Sequence, residues 1–126
     1  MNKAQPGSNT VVLGASTNEA RYSFKAVKML QEYGFKPIPV HPAGHVVDGI
    51  TCLKSLNDVK EEVDTLTVYV NSKISDNEYD NIVELNPRRV IFNPGADNWP
   101  LGNKLKEKGI EVIHSCTLVM LRTKQF

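Results

Sequence analysis

The sequence carries two cysteines, Cys52 and Cys116, and one tryptophan, Trp99. The two thiols share no metal-type spacing and offer no disulfide framework, so a reduced, cytoplasmic setting is the default expectation. No apolar run approaches the roughly 20 residues of a membrane span. The opening Met1-Asn2-Lys3-Ala4-Gln5-Pro6-Gly7 has no apolar core, so no signal peptide is expected either. Fifteen Lys and Arg nearly balance fourteen Asp and Glu, and they are spread along the chain without a basic stripe. A nucleic-acid partner is therefore not expected. A P-loop, a Ser-His-Asp order, a pair of catalytic carboxylates and a metal-binding motif are also missing. No catalytic residue and no metal ligand is assigned.

What is present is one domain's worth of chain: 126 residues, 40% hydrophobic and 23% charged, enough to close a real core. Residues 1–9 are polar and read as a flexible lead-in to a single domain over 10–126. Thr10-Val11-Val12-Leu13 is a short apolar β-run that ends in Gly14-Ala15-Ser16. A helical segment follows from about Ala20 to Tyr33, with Tyr22, Ala26, Val27, Leu30 and Tyr33 spaced to make one apolar face and Gly34 placed to stop it. Such a strand–turn–helix unit aims unpaired N–H groups at the carboxyl end of the strand, which attracts phosphate. Gly14 permits the sharp turn, Ala15 leaves room for a ligand and Ser16 offers a hydroxyl.

Phe35-Lys36-Pro37-Ile38-Pro39-Val40 is a second strand, whose prolines argue for one-sided pairing. It leaves through His41-Pro42-Ala43-Gly44-His45, and Val46 to Ile50 adds a short extended piece. Ser55 caps a brief helix with Leu56 and Val59 inward. Thr65 to Val70 is the strongest strand pattern of the chain. Ser75 and Glu78 then have the spacing of a capping box, with Ile74 and Tyr79 as its staple, on a helix running to about Leu85. Arg89 to Phe92 is a fourth strand, leaving through Asn93-Pro94-Gly95; Pro100 to Lys108 is a helix; Ile110 to Ile113 is a fifth strand; Ser115 caps a last short helix over Thr117 to Arg122, an apolar run that an extended segment would also fit.

Strands alternating with helices in this way predict an α/β, Rossmann-like three-layer sandwich: a five-stranded parallel sheet with helices on both faces. Right-handed crossovers give the simplest order as 3-2-1-4-5. The crevice at the switch point then lies between the ends of strands one and four, flanked by the Gly14-Ala15-Ser16 and Asn93-Pro94-Gly95 turns.

Two features weigh against NAD as the occupant. The fingerprint G-x-G-x-x-G is absent, since the next glycine after Gly14 is Gly34. The acidic residue that would bind a ribose at the end of strand two is also missing, Val40-His41-Pro42 standing there instead. A carboxylate would repel a ribose bearing a 3′-phosphate, so its absence suits a phosphorylated ribose.

Val12-Leu13-Gly14-Ala15-Ser16, Arg21-Tyr22-Ser23, Ala26-Val27, Pro39-Val40-His41-Pro42, Asp64-Thr65, Phe92-Asn93-Pro94-Gly95 and Cys116 to Leu121 follow one another in an order that resembles the small bacterial CoA-binding proteins. That family is similar to the N-terminal domain of the succinyl-CoA synthetase alpha subunit, and the resemblance covers about residues 10–122. It implies a Rossmann-like domain that binds coenzyme A or an acyl-CoA, with no catalytic activity firmly attached. Carried over, Gly14, Ala15, Ser16, Thr17 and Arg21 would hold the CoA phosphates. Val40, His41 and Pro42 would line the nucleotide end, and Val70, Asn71, Asn93, Pro94 and Gly95 would border the remainder. Two departures stand out. The synthetase has a lysine in the loop after strand two, where this chain has Ala43-Gly44-His45, which leaves His45, Lys73 and Lys25 as candidates for the 3′-phosphate by charge alone. Many relatives carry Asn-Pro where this chain has Asn18-Glu19, which puts a carboxylate near the expected phosphates. The synthetase bears its phosphorylated histidine on a second domain, so synthetase activity by this chain alone is not expected.

Several residues admit a plainer role. Arg21 at a helix start suits a phosphate or an ion pair with Glu19. His41 touches ligand or only shapes its loop, His114 reads as a core or rim residue, and Cys116 as a structural cysteine rather than a reactive thiolate. Trp99 either covers the crevice or packs at the sheet edge. Besides non-enzymatic CoA binding, two other classes stay open: an NAD(P)-type or thioester-acting enzyme, and an interaction domain that completes a partner enzyme. Homo-oligomerisation is left undecided.

Overall fold

The structure is a computed structural model that describes residues 2–126; Met1, at the head of the expected lead-in, lies outside the described residues. Thr10 to Leu13 are buried, as a central strand covered on both faces requires, and with Asn9 they form β1 (Asn9–Leu13). The chain continues through α1 (Tyr22–Glu32), β2 (Lys36–Val40), a hairpin of β3 (Val46–Val47) and β4 (Ile50–Thr51), and a 3-10 turn over Leu56–Asp58. Then come β5 (Thr65–Val68), α2 (Ser72–Ser75), a second 3-10 turn (Asp76–Glu78) and α3 (Tyr79–Leu85). The last elements are β6 (Arg89–Phe92), α4 (Trp99–Glu107), β7 (Glu111–His114) and α5 (Thr117–Arg122).

The main sheet has five parallel strands in the order β2-β1-β5-β6-β7. The parallel sheet with helices on both faces is as expected. The order is not 3-2-1-4-5, because the third long strand, β5, pairs with β1 on the side away from β2. The prolines explain this. Lys36 donates its N–H to Ser8 and Val40 accepts from Gly14, so the even residues of β2 face β1. Pro37 and Pro39 therefore present their missing donors to the outside, where a full neighbouring strand would find no N–H. Only Leu53 pairs there, at the far end, giving its N–H to Pro39 and accepting from His41. β2 stays near the edge, and β5 crosses back over β1. The switch point thus lies between β1 and β5, with β6 one strand further on.

One face of the sheet packs α1 and α5 against Val12, Ile91 and Phe126. The other packs the first 3-10 turn, α3 and α4, through Leu56, Ile82, Leu101 and Leu105, against Leu66, Val68, Val90 and Phe92. On α1 the buried stripe is Ser23, Phe24, Ala26, Val27 and Leu30. Tyr22 and Tyr33, expected on that stripe, are 59% and 43% exposed: they stand at the helix ends, Tyr33 being already the C-cap. Before β1, Ala4 donates its N–H to Phe126 at 2.8 Å and Gly7 to Gly34 at 2.9 Å. No helix of the described residues is long and apolar enough to cross a membrane.

Two caps differ from the sequence reading. The Asn71 side chain accepts from Ile74 N–H at 3.1 Å and starts α2, whereas Ser75 is buried and accepts from Asn98 Nδ2 at 2.8 Å, so there is no Ser75–Glu78 box. Asn98 in turn caps α4 through Leu101 N–H. Ser115 does not cap α5; Asn93 does, from the end of β6.

Candidate functional site

Two clefts open at the carboxyl end of the sheet, on either side of the Gly14 turn, and the Tyr69 ring lines both. The first, about 460 Å³, is bounded by Ala20 to Ser23 at the start of α1, by Tyr69, and by Pro94, Gly95 and Ala96. The second, about 540 Å³, runs from Gly14 past Val40, His41 and Pro42 to Lys54 and Ser55, with Val70, Asn71, Ile74 and Glu78 opposite.

Gly14 holds the turn between them. Its φ is +89°, and a Cβ there would stand 2.7 Å from Val70 Cγ1 and 3.4 Å from the backbone carbon of Tyr69. The residue is glycine because β5 passes this close.

The hydrogen-bond donors are distributed differently from the expectation. Gly14 and Ala15 both give their N–H to the Val40 carbonyl, at 2.9 and 3.3 Å. Ser16 donates its N–H to Ser23 Oγ, and its own hydroxyl accepts from Asn18 N–H. Asn18 then accepts from Ala20 N–H through its side chain and from Arg21 N–H through its carbonyl. The turn after β1 is thus self-bonded and rigid. Arg21, the N-cap of α1, supplies no side-chain acceptor, so the free donors lie at the helix start, where Tyr22 and Ser23 border the first cleft. Arg21 is exposed there, and among the described residues it forms no ion pair with Glu19 or any other carboxylate.

The second cleft has two stacked imidazoles at its β2 end, His41 and His45, with ring centroids 4.3 Å apart. His45 Nε2 lies 2.9 Å from the Ala15 carbonyl, which can only accept, so Nε2 carries the proton. His41 Nδ1 accepts from Ala43 N–H at 3.0 Å. Burial, helped by the neighbouring His45, holds His41 below the usual histidine range. It faces the cleft as a neutral ring.

Of the residues expected to bind, Gly14, Val40, His41, Pro42, Val70 and Asn71 line the second cleft, while Arg21, Pro94 and Gly95 line the first. Ala15, Ser16, Thr17 and Asn93 line neither. Ala15 is fully buried, and Asn93 is enclosed in a structural network with Thr67, Val68 and Thr117. The sequence reading missed Tyr69 and Lys54. Tyr69 was legible only as an aromatic inside a strand pattern, yet it sits just past β5 as the wall between the clefts. Its hydroxyl is enclosed without a hydrogen-bond partner, and burial pushes its pKa up, so the phenol stays neutral. Trp99 lines neither cleft and is stacked on His114 with centroids 3.5 Å apart. Cys52 and Cys116 are free thiols, and no group of three or more His, Cys, Asp or Glu among the described residues could hold a metal ion.

A family model described as a CoA binding domain matches residues 8–122. The chain is 26% identical over 103 residues to an ADP-forming acetate–CoA ligase of Methanocaldococcus jannaschii, a match that takes in 79% of this chain and 15% of the ligase. It therefore spans only a small part of that enzyme. Among solved structures, an uncharacterized protein shares 40% identity and superposes with a TM-score of 0.91, covering 97% of this chain and 100% of its own. A Thermus thermophilus protein, cell-free ID.343, shares 28% identity with a TM-score of 0.86, covering 95% and 91% of the two chains. With the matching model spanning nearly the whole of it, the chain belongs to the CoA binding domain family.

Proposed function

We propose that the chain is a non-enzymatic binding module for coenzyme A or an acyl-CoA. The observation that carries this reading is the uncapped start of α1, with Arg21 beside it, bordering a cleft next to the switch point of the sheet. An anion placed there would meet backbone N–H groups, the positive end of the helix and a guanidinium, a combination suited to a diphosphate. The residues present therefore fit the phosphates of CoA, although the donors are those of α1 rather than of the Gly14 turn.

In this reading the molecule crosses the Gly14 turn from one cleft to the other. Its nucleotide end lies with Val40, His41 and Pro42, and the thiol-bearing arm runs past Tyr69 toward Pro94 and Gly95. The absence of an acid at the end of β2 favours a phosphorylated ribose over the bare diol of NAD. Tyr69 would present its ring to the arm from between the clefts.

Native mass spectrometry of the freshly purified protein, followed by calorimetric titration with CoA, acetyl-CoA and NAD, tests the proposal. Micromolar or tighter binding of CoA species with weak or no NAD binding is expected. Clear NAD binding without heat from CoA would sink it.

A further inference from the structure

The loop after β2 carries no lysine of its own, yet it seats one. Leu53 pairs with the outer edge of β2 through bonds to Pro39 and His41, and this single bridge delivers the next residue, Lys54, to the carboxyl end of the sheet. There its hydrocarbon stem lies over Gly44. A Cβ built on Gly44 would stand 2.8 Å from Lys54 Cε and 3.2 Å from Cγ, and Gly44 has φ +63°. A side chain at Gly44 would displace the stem from this path. The lysine is thereby held beside His41 and Pro42 in the second cleft, with Ser55 next to it. Among the described residues it forms no ion pair. The one acid lining that cleft, Glu78, accepts instead from Asn81 Nδ2 at 3.3 Å. Of the three groups that sequence alone left open, Lys25 lies over the Tyr22 ring, His45 turns its Nε2 to the Ala15 carbonyl, and none of Lys25, Lys73 and His45 is among the residues lining the second cleft.

We propose that Lys54, seated on Gly44, binds the phosphate at the ribose end of the ligand and so selects 3′-phosphorylated CoA over its dephospho form. This inference rests on the CoA-binding reading. A stem resting on Gly44 narrows where the ammonium can go, and with no carboxylate paired to it among the described residues its charge is available to a phosphate. The His41 ring beside it adds a flat surface at the same cleft edge.

The test is calorimetric titration of the whole chain with CoA and with dephospho-CoA, for the parent and for Lys54→Ala and Lys54→Arg. Lys54 is exposed, so both variants are expected to fold, and a circular-dichroism melt checks this. The parent is expected to prefer CoA by about tenfold or more, and Lys54→Ala to lose most of that preference by weakening CoA about tenfold, leaving dephospho-CoA nearly unchanged. Lys54→Arg should keep the preference. If the parent binds CoA and the CoA to dephospho-CoA ratio is the same in Lys54→Ala, the role of Lys54 is overturned while the CoA reading stands. If the parent binds neither nucleotide, the CoA reading itself falls, and this inference with it.

Discussion

The side-chain oxygen of Asn93 accepts the Thr117 N–H at 2.9 Å, so the end of β6 caps a helix that begins 24 residues later. Its amide nitrogen gives two further bonds, to Thr67 Oγ1 at 2.7 Å and to the Val68 carbonyl at 3.0 Å, and Thr67 shares a 2.7 Å contact with Thr117 Oγ1. One buried amide thus ties β5, β6 and α5 together. Asn93→Ala is expected to cost about 2–4 kcal/mol, the sum of a lost cap and of buried groups left unpaired. Urea denaturation measures this; a change below about 1 kcal/mol would show that the network contributes little.

Gly14→Ala should destabilise the fold by about 1–3 kcal/mol, since a side chain at φ +89° is strained and its Cβ meets Val70 Cγ1 at 2.7 Å. Gly14 is therefore a packing requirement of the Tyr69–Val70 segment, apart from any part in the proposed ligand site. The double variant Gly14→Ala/Val70→Ala should recover part of the collision but none of the backbone strain. A double variant no more stable than the additive expectation would place the whole cost in the backbone.

Arg21 is exposed and forms no ion pair among the described residues, so Arg21→Ala should leave the melting temperature of the empty protein within a degree or two or raise it slightly. CoA binding should weaken by about ten- to a hundredfold, the range for a charge-assisted bond. Arg21→Lys should recover only part of it, because an ammonium lacks the guanidinium fork. Equal CoA affinity in parent and Arg21→Ala removes the residue from the site.

At the opposite end of the sheet, Arg88 grips Asp64 with two bonds, at 2.7 and 3.1 Å, and reaches Glu111 at 3.3 Å. Burial pushes the Asp64 carboxyl up, but Arg88 and the Thr65 hydroxyl outweigh it and hold Asp64 below the usual carboxylate range. Because the folded pKa is the lower one, the contribution is complete above the unfolded value near ~4 and is lost as pH falls through the folded value. Urea midpoints measured from pH 6 down to pH 2.5 should therefore fall less steeply in Asp64→Asn than in the parent. Parallel curves would mean that the pair carries no linked stability.

Much of this architecture can be read from the chain. The β-branched runs at Thr10 and Thr65 and the apolar spacing of α1 mark a parallel α/β sheet, and Gly14 and Arg21 mark the end of it where the proposed ligand site lies. The strand order was less accessible. Its signal, the two prolines of β2, speaks about an edge and not about which strand avoids it. Caps were misassigned wherever a distant side chain took the place of a local one, as Asn93 does for Ser115 and Asn98 does by engaging Ser75. Lys54 was invisible for a related reason: its position depends on the Leu53 bridge and on the bare Cα of Gly44, a contact between residues ten apart with no periodic trace.

The prolines of β2 also bear on how the protein avoids itself. A sheet margin normally offers a row of amide donors onto which a stray extended chain can zip, the first step toward fibrous aggregates. Here Pro37 and Pro39 withhold two of those donors, and Leu53 takes the next position, so the β2 margin is a poor template for foreign strands. The same residues that fix the topology serve as a built-in guard against clumping.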